Sequence, residues 1–135
     1  MWTNSACGHP APGEHLRDAV CRRVADELGL TVGALRLVLP RFSYRAEQDG
    51  VDEHELCPVL VGRVAGTAPT PRPDATEVAA AQWLPWHPVA ADVLAGRRTV
   101  STWCREQVAE LVELGPDPRQ WPEADPADLP AALPR

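Results

Sequence analysis

A chain of 135 residues is long enough for one compact domain with an apolar core and too short for two ordinary ones. Apolar residues make up 44% of it but fall in short runs, none approaching the ~20 consecutive residues that span a bilayer, so no membrane partner is expected. The net charge is −6 and all 13 basic residues are arginine, which leaves no broad positive field for a nucleic-acid backbone and excludes nucleic acid as an expected partner.

The opening residues carry no basic start followed by an apolar run, so they do not read as a secretion signal, and the expected location is cytoplasmic. Trp2 to Ala6 reads as a short strand that begins abruptly at Met1, as if entering the middle of a sheet; further chain is expected upstream. From Glu14 to Leu28, the apolar positions Leu16, Ala19, Val20, Val24 and Leu28 recur at helical spacing, and Gly29 is placed to end the helix. Leu35 to Ala46 and Glu53 to Val64 read as a pair of strands turned at Glu47-Gln48-Asp49-Gly50. Pro69, Pro71 and Pro73 mark a loop, after which Glu77 to Leu84 is expected as a strand and Pro88 to Leu94 as a short helix. Thr102 to Leu114 predicts a helix closed by Gly115. Beyond it, six prolines lie among Asp, Glu and Ala, a composition expected to leave residues 116–135 disordered or loosely attached to a domain of residues 1–115. The four cysteines, Cys7, Cys21, Cys57 and Cys104, form no C-x-x-C pair, so reduced thiols are expected rather than a zinc ribbon.

Side chains two apart on an extended segment face the same way. Cys7 and His9 share one side on that reading, as do Glu53 and Glu55, with Cys57 continuing their face. A glutamate pair on a strand is usually a solvated face, but this one runs directly into the apolar Leu56-Cys57-Pro58-Val59-Leu60-Val61, a partly buried setting in which carboxylates need partners. A thiol, an imidazole and two carboxylates are therefore expected to converge on one cavity. Each has a plainer reading as well, since a single buried cysteine is more often packing than chemistry.

Residues Gly8 to Leu30 resemble the Nudix box, G-x5-E-x7-R-E-U-x-E-E-x-G-U with U aliphatic: Gly8, Glu14, Arg22, Val24, Glu27, Gly29 and Leu30 fall in register. Arg23 and Asp26 depart from it, each standing where the box has glutamate. Such a box presents carboxylates to divalent cations on a diphosphate, since hard oxygen ligands suit magnesium.

The blocks WTNSACGHP at residues 2 to 10, RFSYRA at 41 to 46 and EHELCPVLVGR at 53 to 63 resemble the type 1 isopentenyl diphosphate isomerases, in their order and spacing. Asp74 to Val78, Trp83 and Ser101-Thr102-Trp103 resemble that family more loosely, so that the likeness runs from residue 2 to about residue 107. The resemblance implies an α/β (α+β) Nudix fold, a mixed β-sheet flanked by the two long helices, and interconversion of isopentenyl and dimethylallyl diphosphate by protonation and deprotonation. It carries over Cys7 and Glu55 as the acid–base pair, Tyr44 as a relay or orienting hydroxyl, and Trp103 as the aromatic face that stabilises a carbocation; a core tryptophan is an equal reading of Trp103. It implies that His9, Glu53 and Glu55 ligate Mn²⁺, Mg²⁺ or Zn²⁺ together with two histidines upstream of this chain, whose absence should weaken metal binding and activity. Glu27, through Mg²⁺, and Arg23, directly, would hold the small-molecule diphosphate. A Nudix-type hydrolase and a truncated binding domain are the alternatives, and the oligomeric state is left open.

Overall fold

A computed structural model of the chain describes residues 1–131. Helix α1, Leu16–Leu28, is preceded by a reciprocal pair in which Glu14 accepts from the Ala11 N–H through its side chain and donates its own N–H to the Ala11 carbonyl, both at 2.9 Å. Its end is set by Gly29, whose φ of 63° lies in the left-handed region that glycine enters without strain, and the Gly29 N–H returns to the Ala25 carbonyl. Val24 and Leu28 of α1 pack with Leu30 as one apolar cluster.

The two expected strands are found as four: β1 Val32–Leu39, β2 Ser43–Gln48, β3 Val51–Leu56 and β4 Val59–Val64. β2 pairs antiparallel with β3 across Asp49 and Gly50, at φ 53° and 78°, as a tight hairpin turn requires. β1 pairs antiparallel with β4 outside them. Each long run breaks at a proline, Pro40 or Pro58, which has no N–H to give to a ladder. The Cys57 N–H donates to the Phe42 carbonyl at 2.8 Å and joins the two ladders into one nested hairpin. The Trp2 to Ala6 strand is reduced to a single parallel bridge from Trp2 to Val100, the one parallel pairing among the described residues.

Residues 65 to 85 hold no strand, so the strand expected at Glu77 to Leu84 is corrected to irregular chain. Its start is turned back on the preceding loop, Glu77 and Val78 both giving their N–H groups to the Asp74 carbonyl at 3.0 and 2.7 Å. Arg72 and Asp74 give their N–H groups to the Leu28 and Glu27 carbonyls at the end of α1, and the Asp74 carboxylate accepts from both the backbone and the hydroxyl of Thr76. Helix α2, Trp86–Leu94, packs through Ala90 and Val93 on Cys104 and Val108 of α3, Thr102–Val112, which Ser101 caps by accepting from the Cys104 N–H.

The chain after Gly115 is also corrected, as far as Ala131. Trp121 is 4% exposed and joins Val38, Leu39, Phe42 and Leu111 in a core cluster, with its ring set edge-on to Trp86 at 5.1 Å. Arg36 donates to the Pro118 and Trp121 carbonyls, and Ala124 N–H to the Leu37 carbonyl. Proline content alone misreads this segment because the buried Trp121 and Leu129, with the Arg36 and Ala124 bonds, together offset its ordering entropy. The last four residues of the expected tail lie outside the described ones. No described helix is long and apolar enough to cross a membrane.

Candidate active site

The segment from Trp2 to Pro10 is irregular and is held from three sides. The Ser101 N–H donates to the Trp2 carbonyl at 3.0 Å, and Arg23 on α1 donates to the Cys7 carbonyl at 2.9 Å. A Cβ at Gly8 would stand 2.6 Å from the Arg23 Nε, so a side chain there would displace the guanidinium from this contact. The third hold is at sulfur: the Cys7 Sγ lies 4.0 Å from the Cys57 Sγ, just beyond the end of β3.

The β2–β3 hairpin supplies the opposite wall. Its register places Tyr44 across from Glu55 and Ala46 across from Glu53, so both glutamates lie on the face that carries Tyr44, as their two-residue spacing requires. Glu55 is half-buried, and the His9 Nε2 stands 3.8 Å from its Oε2. Tyr44 stacks on Trp103 with ring centroids 5.8 Å apart, and the Trp103 indole N–H donates to the Asn4 Oδ1 at 3.2 Å. Cys7, His9, Tyr44, Glu55 and Trp103, distant in sequence, are thereby linked through direct contacts and Cys57 and Asn4. Glu53 is exposed and further out along the hairpin. Cys57 and Asn4 were not among the candidates read from sequence; the continuation of the Glu53–Glu55 face to Cys57 was the one available signal.

The thiol pair polarises itself. Cys7 is held down to about 6, first by the hydrogen bond that the Cys57 thiol donates to it, and then by the charges of His9 and Arg23, against the opposing effects of burial and Glu27. Cys57 moves up, because its proton is committed to Cys7 and it is buried. Burial, followed by the nearby charges of Cys7, Glu55, Cys57 and Glu53, raises Tyr44 and keeps its hydroxyl protonated. A lowered thiol is deprotonated above its pKa and loses nucleophilicity as pH falls through it. Alkylation of Cys7 by iodoacetamide is accordingly expected to have its half-point near pH 6. An ordinary thiol has it near about 8.5. In Cys57→Ala the half-point should move up towards that ordinary value. Peptide mass mapping across the range follows each cysteine, and equal reactivity of Cys7 and Cys57 at neutral pH would contradict this assignment.

The donor chemistry suits a divalent cation in part. His9 and Glu55 present an imidazole nitrogen and a carboxylate oxygen to one place, but among the described residues no three His, Cys, Asp or Glu side chains are gathered closely enough to form a ready-made site. The expected trio with Glu53 is therefore a pair with Glu53 outlying. Glu27 is 9% exposed and its Oε1 meets Arg23 at 2.6 Å. The Arg23 Nε is buried with no hydrogen-bond partner among the described residues. Elsewhere in the loop–helix unit, Arg22 clasps Glu14 through two bonds of 2.9 Å and brings its carboxyl down to about 2.

The NUDIX domain family matches residues 1–104. The isopentenyl-diphosphate Delta-isomerase of Saccharopolyspora erythraea is 56% identical over 133 residues, which are 98% of this chain and 67% of that relative. The protein of the same name from Rhizobium rhizogenes is 47% identical over 131 residues, 96% of this chain and 62% of its own length. That of Mycolicibacterium vanbaalenii is 50% identical over 116 residues, 85% of this chain and 62% of its own. The chain thus spans roughly two thirds of the length of these curated relatives.

Proposed function

The chain belongs to the NUDIX domain family and, within it, to the isopentenyl-diphosphate Delta-isomerases, and from that premise we propose that it interconverts isopentenyl and dimethylallyl diphosphate in the cytoplasm. The observation that carries this reading is the linkage of Cys7, Glu55, Tyr44 and Trp103 through direct contacts and the bridging Cys57 and Asn4. Hydrolysis of a phosphoanhydride has no need of a thiol or of an aromatic stack. Arg23 also occupies a place where the hydrolase box has glutamate, and pairs with the Glu27 that remains.

The Glu55 carboxyl delivers a proton to the terminal carbon of the alkene, oriented by the Tyr44 hydroxyl. The positive charge that develops on the tertiary carbon lies against the aromatic pair of Trp103 and Tyr44, an arrangement worth about 2 kcal/mol or more when water is excluded. The Cys7 thiolate then takes a proton from the neighbouring carbon, and the double bond closes one position further along. One proton enters and one leaves, so no oxidant or co-substrate is consumed. Arg23 grips the diphosphate. When bound, a divalent cation, Mn²⁺, Mg²⁺ or Zn²⁺ at His9 and Glu55 and Mg²⁺ at Glu27, would polarise the Glu55 carboxyl and neutralise diphosphate charge.

The test is incubation of the protein with isopentenyl diphosphate and added Mg²⁺ and Mn²⁺, followed by proton NMR. The methyl signals of dimethylallyl diphosphate should grow in. Release of phosphate without isomerised product would favour a diphosphate hydrolase, and tight binding with neither product would favour a binding domain; both outcomes refute the isomerase.

A further inference from the structure

Asn4 is half-buried and its amide is engaged at both ends. Its Oδ1 accepts from the Trp103 indole N–H at 3.2 Å and from the Thr3 hydroxyl at 3.0 Å, while its Nδ2 donates to the Ala6 carbonyl at 2.9 Å. Two of these contacts define the amide's orientation, because turning it over would set its NH₂ against the Trp103 N–H and its oxygen against the Ala6 carbonyl, whereas the Thr3 hydroxyl can serve either end. An indole has one N–H and a broad second torsion, so packing on one side leaves the ring free to swing. The bond to Asn4 removes that freedom where Trp103 stacks on Tyr44.

The same short segment is tied to the start of α3 a second time. Ser101, 2% exposed, has its Oγ 2.8 Å from the Thr3 Oγ1, and its N–H donates to the Trp2 carbonyl. Cys7 follows three residues after Asn4, so one stretch of chain both carries the thiol and sets the tryptophan. We infer that Asn4 is a positioning residue: by accepting the Trp103 indole N–H it holds that ring in register with Tyr44 and with the Cys7 segment during isomerisation. This rests on the isomerase reading. An aromatic face acts only on the charge that develops along the reaction, so a displaced Trp103 weakens turnover and leaves ground-state binding intact.

Asn4→Leu, which has a similar shape and no acceptor, is expected to lower kcat about tenfold or more, with KM within about twofold of the unaltered protein. Asn4→Asp keeps the oxygen that faces the indole and should retain most of kcat, even though it loses the bond to Ala6 and melts earlier. A merely structural role would lower the melting temperature of both variants without separating their kcat values. In protein labelled with ¹⁵N-tryptophan, the Trp103 indole resonance, identified by its disappearance in Trp103→Phe, should move to the position of an unbonded indole in Asn4→Leu and stay in place in Asn4→Asp. Should Asn4→Leu fail to fold, Asn4→Ser, too short to reach the indole, is measured in the same way. An unmoved resonance, or an unchanged kcat, overturns the inference. Absence of turnover in the unaltered chain overturns the isomerase reading, and the resonance still decides whether Asn4 holds Trp103.

Discussion

Replacing Cys7 by alanine is expected to lower isomerase turnover by about 10²–10⁴-fold, the range by which a positioned acid or base contributes. Cys7 is the group of this set best poised to be a base at neutral pH, because the Cys57 thiol donates to it and brings it to about 6. His9 already faces Glu55, and Tyr44 is pushed upward and stays protonated. Cys7→Ser should be nearly as slow, since a hydroxyl in the same place holds its proton far more tightly. Proton exchange gives a second readout: in heavy water, deuterium should enter the substrate pool at the carbon that Cys7 deprotonates with the unaltered protein and not with Cys7→Ala. Since Cys7 lies on an irregular segment and not in the core clusters, thermal melts should hardly change. Isomerisation by Cys7→Ala at the original rate would remove the thiol from the mechanism.

Trp121→Ala should destabilise the fold by about 3–5 kcal/mol, the usual cost of removing a large aromatic side chain from a core. The residue is 4% exposed, packs with Val38, Leu39, Phe42 and Leu111, meets Trp86 edge-on, and donates its indole N–H to the Gly115 carbonyl at 2.8 Å. Its removal opens a cavity and also loosens the Arg36 contacts to Pro118 and Trp121, so the chain from Gly115 onward should detach together. For a domain of this size the melting temperature should fall by roughly 10–20 °C. Urea unfolding monitored by circular dichroism measures the difference directly. A loss below about 1 kcal/mol, within the range of ordinary surface substitutions, would return this segment to the loosely attached tail that its composition implies.

The two long helices were legible because helix information is local. Apolar spacing marks the buried stripe of α1 and Gly29 its end, and α3 begins at Thr102, where the helix was expected to begin. Asp49-Gly50 likewise announced its turn, since those residues tolerate the positive φ that the hairpin needs. The two-residue spacing of Glu53 and Glu55 determined that they share a face wherever the strand lies. Position in the sheet was not local in this way. Val- and Leu-rich chain reads alike for one strand or two, and which ladder each half joins depends on a partner elsewhere, as the break at Pro40 and Pro58 illustrates.

What the sequence by itself determined is therefore the set of chemical groups and the local faces that carry them: a thiol, an imidazole, two carboxylates, a phenol and an indole on short rigid segments. Tertiary structure alone decided their partners. It set the Cys57 thiol 4.0 Å from Cys7, leaned the Trp103 indole on Asn4, left Glu53 outside the His9–Glu55 pair, and folded Trp121 back into the core. The physical reason is that backbone periodicity fixes the direction of a side chain relative to its own strand or helix, whereas acidity, metal affinity and burial depend on distances to atoms that arrive from elsewhere in the chain.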